Sequence, residues 1–236
     1  VASPAAYQEP TLQTSWQDFV RHLPVVVAVG LVTMLLSLLG LALMAGIWMI
    51  MMGGINQVLA APDPASAPAL SIRNFALFVG SLAQLPFAIL AGYVGVLFTA
   101  VPALHYASGR VISVQEAFGE LARRPRRYFV AGVLFAALST AASFACFLPG
   151  LLVNLVTPVY VNRIFTTDQP VLEVLQQSFQ TCYGTEKGRS FLLAQGVAWL
   201  VFFALTFCTC FLGGLVATPM LCFYLQNLAY CRGVVR

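Results

Sequence analysis

Residues 128–162, YFVAGVLFAALSTAASFACFLPGLLVNLVTPVYVN, contain no Asp, Glu, Lys or Arg. One minimal crossing of a hydrocarbon core takes about 20 apolar residues, so this stretch is too long for a single short span. Pro149-Gly150 near its middle joins a helix breaker to a residue that tolerates tight turns. The stretch therefore predicts two short spans with a turn between them. Three further uncharged intervals surround it, at 25–60, 74–107 and 190–231. The last would be about 60 Å long as one helix, and Gly213-Gly214 offers a turn near its midpoint. The two turns resemble each other. Cys146-Phe147-Leu148-Pro149-Gly150-Leu151 and Cys210-Phe211-Leu212-Gly213-Gly214-Leu215 differ only at the fourth position, which predicts an internal repeat.

Composition agrees with a lipid solvent. Of 236 residues 60% are hydrophobic and 8% charged, with a mean hydropathy of +0.86, whereas a soluble domain is roughly a quarter charged. So little polar matter excludes a water-facing globule, and so much apolar matter excludes disorder. The predicted fold class is all-α: a polytopic integral membrane protein with six transmembrane helices, near 25–52, 75–106, 129–147, 151–166, 190–211 and 215–231. They form three hairpins, 25–107, 128–166 and 190–231, in a single membrane domain 25–236 that follows an N-terminal tail, 1–24. A proline-rich connector, Ala61-Pro62-Asp63-Pro64-Ala65-Ser66-Ala67-Pro68, makes the tip of the first hairpin. Basic residues test the count, because Lys and Arg are retained on the cytoplasmic side of short loops. With six spans and both termini inside, Arg21, Arg110, Arg123, Arg124, Arg126, Arg127, Arg163, Lys187, Arg189, Arg232 and Arg236 are inside and only Arg73 is outside. Reading 128–162 as one span would divide the cations evenly.

The inner loops carry their own helices. Ser113-Val114-Gln115-Glu116 has the capping-box pattern, and Val114, Ala117, Phe118 and Leu121 follow at helical spacing. This amphipathic helix ends in Arg123-Arg124-Pro125-Arg126-Arg127. Four arginines beside a membrane can hold anionic headgroups at about 1 kcal/mol per charge near the surface, or serve only to fix topology. In the next inner loop Asp168 can cap, Pro170 falls in the first turn, and Leu172, Leu175, Phe179 and Cys182 share a face. At an offset of 57, Val114, Glu116 and Phe118 fall on Val171, Glu173 and Leu175, so a hairpin plus an amphipathic helix reads as the repeating unit. Leu12, Trp16, Phe19 and Leu23 make a third apolar stripe, with an aromatic suited to the interface.

Leu148-Pro149-Gly150-Leu151-Leu152-Val153, Thr157-Pro158-Val159 and the run Asp168-Gln169-Pro170-Val171-Leu172-Glu173-Val174-Leu175-Gln176-Gln177-Ser178-Phe179 together resemble a pattern in uncharacterised bacterial six-span inner-membrane proteins. The same pattern is found in the membrane domain fused to some glycerophosphodiester phosphodiesterases. The likeness covers residues 110–195. It implies a multi-pass protein of the bacterial inner membrane and brings no catalytic residues with it, and the chain contains no phosphodiesterase domain.

The chemistry at membrane depth is sparse. No Asp, Glu, Lys or Arg lies inside the uncharged intervals, whereas proton- and ion-coupled carriers keep such groups as relays. A phosphate-cradling Gly-rich Lys loop and the His-Glu-x-x-His pattern are both missing. His105 is the one histidine at membrane depth, a candidate axial ligand for a metal or pigment or else a hydrogen-bonded interfacial side chain. His22, beside Arg21, reads as solvated. The six cysteines include no Cys-x-x-Cys pair, so no zinc site is predicted. Cys146 lies at an outer turn, where an oxidising compartment would permit a bridge to Cys208 or Cys210 if geometry allowed. Cys182 and Cys231 are expected to stay reduced. Small residues recur every four positions at Ala91, Gly95, Thr99 and Ala103 and at Ala137, Ala141 and Ala145, spacing that lets helices approach closely. Gln84, Asn154 and Gln195 are the buried polar candidates, with Pro86 and Pro158 to kink their helices. They line a cavity or each bond a neighbouring backbone.

Three functional expectations follow. The first is a non-enzymatic accessory, assembly or lipid-contacting membrane component that binds anionic lipid or another membrane protein through Arg123, Arg124, Arg126 and Arg127, with no cofactor. The second is a transporter or channel for a small neutral or weakly polar solute around Gln84, Asn154 and Gln195. The third is a pigment- or haem-binding subunit through His105. Topology already accounts for the net charge of +4, so no nucleic-acid partner is expected.

Overall fold

The computed structural model describes residues 10–58, 67–209 and 213–235. Among them every regular element is a helix, and the chain runs through α1 (Leu12–Arg21), α2 (Leu23–Val58), α3 (Ala67–Gly95), α4 (Leu97–Ser108), α5 (Val114–Arg123), α6 (Pro125–Ala145), α7 (Phe147–Leu155), α8 (Thr157–Thr166), α9 (Val171–Gly184), α10 (Glu186–Cys208) and α11 (Gly214–Cys231). Five segments are long and apolar enough to cross a membrane: Leu23–Gly53, Asn74–Ser108, Pro125–Ala145, Leu148–Thr166 and Glu186–Cys208. This is the make-up of a polytopic membrane protein.

Contacts divide the chain into two compact units, Val29–Gly95 and the described residues of Val1–Ala28 with Val96–Arg236. In the first, α2 and α3 run antiparallel, Gly40 meeting Gln84 and Phe87 while Gly80 meets Met44. The approach is close. A Cβ on Gly40 would lie 2.9 Å from Phe87 Cβ, nearer than two side chains tolerate, so the missing side chain sets the helix spacing.

The second unit is built around α11, which packs against α1, α4, α8 and α10. Phe223, Gln226 and Ala229 on α11 are wholly buried. Near its end, Asn162 Nδ2 donates to Gln226 Oε1 and to Tyr230 Oη, each at 3.1 Å, and Gln226 Nε2 donates to the Pro158 carbonyl at 2.8 Å. A polar network of this kind satisfies its own members and ties α8 to α11. Pro158 removes one donor from α8, and Thr157 Oγ1 bonds the Asn154 carbonyl that this would orphan, at 2.7 Å.

Several boundaries differ from the sequence expectation. Pro149-Gly150 is not the turn; both residues lie inside α7, and the break falls at Cys146, whose backbone is extended. Proline fits there because the N–H groups of a helix's first turn have no intrahelical acceptor. Segment 215–231 is α11, an eighteen-residue helix whose C-terminal half is buried, Gln226 and Asn227 included; it is not among the five candidates for crossing. Ala137, Ala141 and Ala145 all face outward, and the α6–α7 seam runs through Ser139, which accepts from Asn154 Nδ2 at 3.0 Å. Residues 210–212, and with them Cys210, lie outside the described residues, and Gly213 is the N-cap of α11; Cys146 and Cys208 are free thiols.

Candidate functional site

Cations gather where helix ends of the larger unit meet. The Ser113 hydroxyl accepts from the Glu116 N–H at 3.2 Å and Glu116 Oε2 accepts from the Ser113 N–H at 2.8 Å, so the expected capping box starts α5. These bonds hold the Glu116 carboxyl below its ordinary range. The box aims α5 so that Ala117 and Leu121 are buried, and two arginines beyond it, Arg124 at its C-cap and Arg127 in the first turn of α6, reach the α8–α9 linker. There Arg127 donates to the Gln169 carbonyl at 2.6 Å and the Thr167 carbonyl at 2.9 Å, while Arg124 pairs with Asp168. Asp168 therefore does not cap α9, whose N-cap is Pro170 with no side-chain bond. Its carboxyl is held low by the Arg124 guanidinium. Arg123 lies 3.7 Å from Glu120. Of the four arginines, two brace a loop, one has an acidic neighbour one turn back, and Arg126 is exposed with no ion pair among the described residues.

The amphipathic helices present divided faces. On α1, Phe19 is buried while Leu12, Trp16 and Val20 face outward, so the stripe expected on one side splits between the protein and its surroundings. On α9 the enclosed line is Val174, Ser178 and Cys182, and Leu172 is 69% exposed. Burial raises the Cys182 thiol to about 12, which keeps it an inert packing residue.

His22 is not solvated. It is wholly buried, its Nδ1 donating to the Asp18 carbonyl at 2.7 Å and its Nε2 accepting from the Ile112 N–H at 3.1 Å. That pairing assigns the neutral Nδ1–H tautomer. The His105 ring stands 4.6 Å from it, edge-on. His105 Nδ1 donates to the Arg110 carbonyl at 2.7 Å, and its Nε2 points toward Asp18 Oδ1 at 3.9 Å. Tyr106 Oη donates to the other Asp18 oxygen at 2.7 Å. Both histidines thus grip the linker between α4 and α5. The candidate axial ligand has one nitrogen committed and the other turned to a carboxylate, and among the described residues no cluster of His, Cys, Asp and Glu could hold a metal ion. No local pattern marks this pair, because 83 residues separate its members.

The cavity candidates differ in their surroundings. Gln84 belongs to the α2–α3 unit, half-buried against Gly40. Asn154, half-buried, bonds Ser139 Oγ and the Gly150 carbonyl. Gln195 differs from both: it is wholly buried, and neither amide atom has a hydrogen-bond partner among the described residues.

No family model, curated protein or solved structure matches this chain.

Proposed function

We propose that this chain is a non-enzymatic integral membrane component of the bacterial inner membrane, with six spans as three hairpins and both termini on the cytoplasmic side, whose basic end contacts anionic lipid. The observation that carries the reading is the layer built where helix ends meet. The C-terminal ends of α1, α4, α8 and α11 lie beside the first turns of α6 and α10 through the Ile112–His22, Asn162–Tyr230, Arg127–Thr167 and Arg232–Ser190 bonds. Arg21, Arg110, Arg123, Arg126, Lys187 and Arg189 are exposed there, alongside the outward Leu12, Trp16 and Val20 of α1. An apolar face flanked by cations suits the headgroup boundary of an anionic leaflet.

A direct test uses Trp16. With Trp48 and Trp199 replaced by Phe, brominated lipids should quench Trp16, and brominated phosphatidylglycerol should quench it more than brominated phosphatidylcholine at equal mole fraction. Equal quenching by the two would remove the preference for anionic lipid, and no quenching would remove α1 from the membrane surface.

The unpartnered Gln195 favours a second reading, a passage for a small neutral solute, since a buried amide with no partner offers both a donor and an acceptor. Proteoliposome uptake of small amides and polyols, compared between the native chain and Gln195→Leu, tests it; identical uptake would end that reading.

A further inference from the structure

We infer that the membrane-facing side of α10 binds one anionic phospholipid, its phosphate held between Arg189 and Arg232 with Lys187 nearby, its acyl chains along Leu193, Val197, Leu200 and Phe203. The inference rests on the lipid-contacting reading and gives it a site other than Arg123–Arg127. Arg232, at the end of α11, reaches across to the Ser190 hydroxyl and carbonyl, which places its guanidinium on the first turn of α10. Arg189 is anchored by Nε to the Tyr183 carbonyl at 3.0 Å, leaving its terminal nitrogens for a ligand. The Lys187 ammonium lies 3.5 Å from where a Cβ of Gly233 would stand. None of these three cations is in an ion pair among the described residues, whereas Arg124 pairs with Asp168 and Arg127 is occupied by backbone carbonyls. These cations are therefore open to an anionic ligand, with Glu186 the one acidic side chain in the first turn of α10.

Acyl contacts lie directly beyond this cationic turn. At about 100° per residue, Leu193, Val197 and Leu200 project between the directions of Arg189 and Ser190, with Phe203 adjoining. These side chains are 74%, 63%, 71% and 69% exposed. A charged turn followed by an uninterrupted apolar track is the outline of a headgroup with its chains. A soluble phosphate would use only the first half of it.

The test is native mass spectrometry of the full chain released from nanodiscs of equal phosphatidylglycerol and phosphatidylcholine. The native protein should retain phosphatidylglycerol in excess. Lys187→Gln/Arg189→Gln/Arg232→Gln should lower that retention by roughly tenfold or more, given the worth of each cation near a surface, and by clearly more than Arg123→Gln/Arg126→Gln, which leaves this site intact. If the triple variant misfolds, Lys187→Gln/Arg189→Gln keeps the Arg232–Ser190 contact and should still lose several-fold. A native protein without lipid preference would overturn the lipid-contacting reading and this site together. A preference that survives in the folded variants would overturn the site alone. Displacement of the lipid by an excess of inorganic phosphate would show a phosphate site without an acyl track, and would also overturn the proposal.

Discussion

Arg126 and Arg127 are adjacent and identical in type, yet they face different tasks. Arg127 satisfies two linker carbonyls, and hydrogen bonds from a charged group contribute about 1.5–3 kcal/mol, so Arg127→Ala should destabilise the protein by roughly that amount. Arg126→Ala should stay within about 0.5 kcal/mol, as exposed substitutions do. Thermal unfolding in detergent, followed by helical circular dichroism, compares them. Gln195→Leu removes a buried amide whose desolvation is unrepaid, so its stability should be unchanged or raised by about 1 kcal/mol in the same assay. His22 supplies a pH signature. Burial is the main influence and pushes its pKa below the ordinary 6.5; the His105 and Arg21 charges act in the same direction, while Asp18 opposes them. The unfolded chain therefore binds the extra proton more readily, so the contribution is fully present above pH 6.5 and is lost as pH falls below it. A melting temperature that drops between pH 7 and 5, with a smaller drop in His22→Gln, is the expected result. None of these roles shows in residue type alone, since each depends on partners distant in the chain.

At the scale of the element, local signals served well where the physics is local. The Ser113–Glu116 box and the periodicity after it give α5 with its start correct, because both depend on residues within one turn. Pro149-Gly150 misleads for the same reason: proline breaks a helix interior but is at home in a first turn, and only the extended Cys146 tells which case holds. The α9–α10 corner shows a constraint that composition hides. Thr185 caps α10 by accepting from the Gly188 N–H at 2.9 Å, and a Cβ on Gly188 would lie 2.8 Å from Cys182 Cα and 2.6 Å from the Cys182 carbonyl oxygen. Backbone atoms of a packed helix do not retreat alone. Gly188→Ala should therefore cost about 3 kcal/mol, the upper part of the range for overpacking, read as a lower melting temperature and faster proteolysis at the corner. An alanine variant as stable as the native chain would show that α9 and α10 do not approach so closely.

For the whole molecule, what the sequence made legible was the solvent, since hydrocarbon excludes unpaired charge and the charges duly collect between the apolar segments. The number of crossings was less legible, because the C-terminal half of α11 is shielded by its neighbours and is free to carry Gln226 and Asn227. The threading can be settled by labelling. The Arg127–Thr167 and Arg232–Ser190 bonds place the start of α6 with the end of α8, and the start of α10 with the end of α11, while Thr209 lies 23 residues beyond Glu186 at the far end of α10. At about 1.5 Å per residue that helix is about 35 Å long, enough to separate its ends by a hydrocarbon core. In a cysteine-free background, a membrane-impermeant maleimide should therefore label Arg126→Cys and Lys187→Cys from one side of sealed vesicles, and Thr209→Cys from the other. If residues 126 and 187 react from opposite sides, α6 through α9 cross an odd number of times and the basic end ceases to be a single surface. The lipid-contacting reading would then lose its geometric basis. If all three react from one side, α10 does not cross the membrane, and the acyl track along Leu193 and Val197 has no bilayer to face.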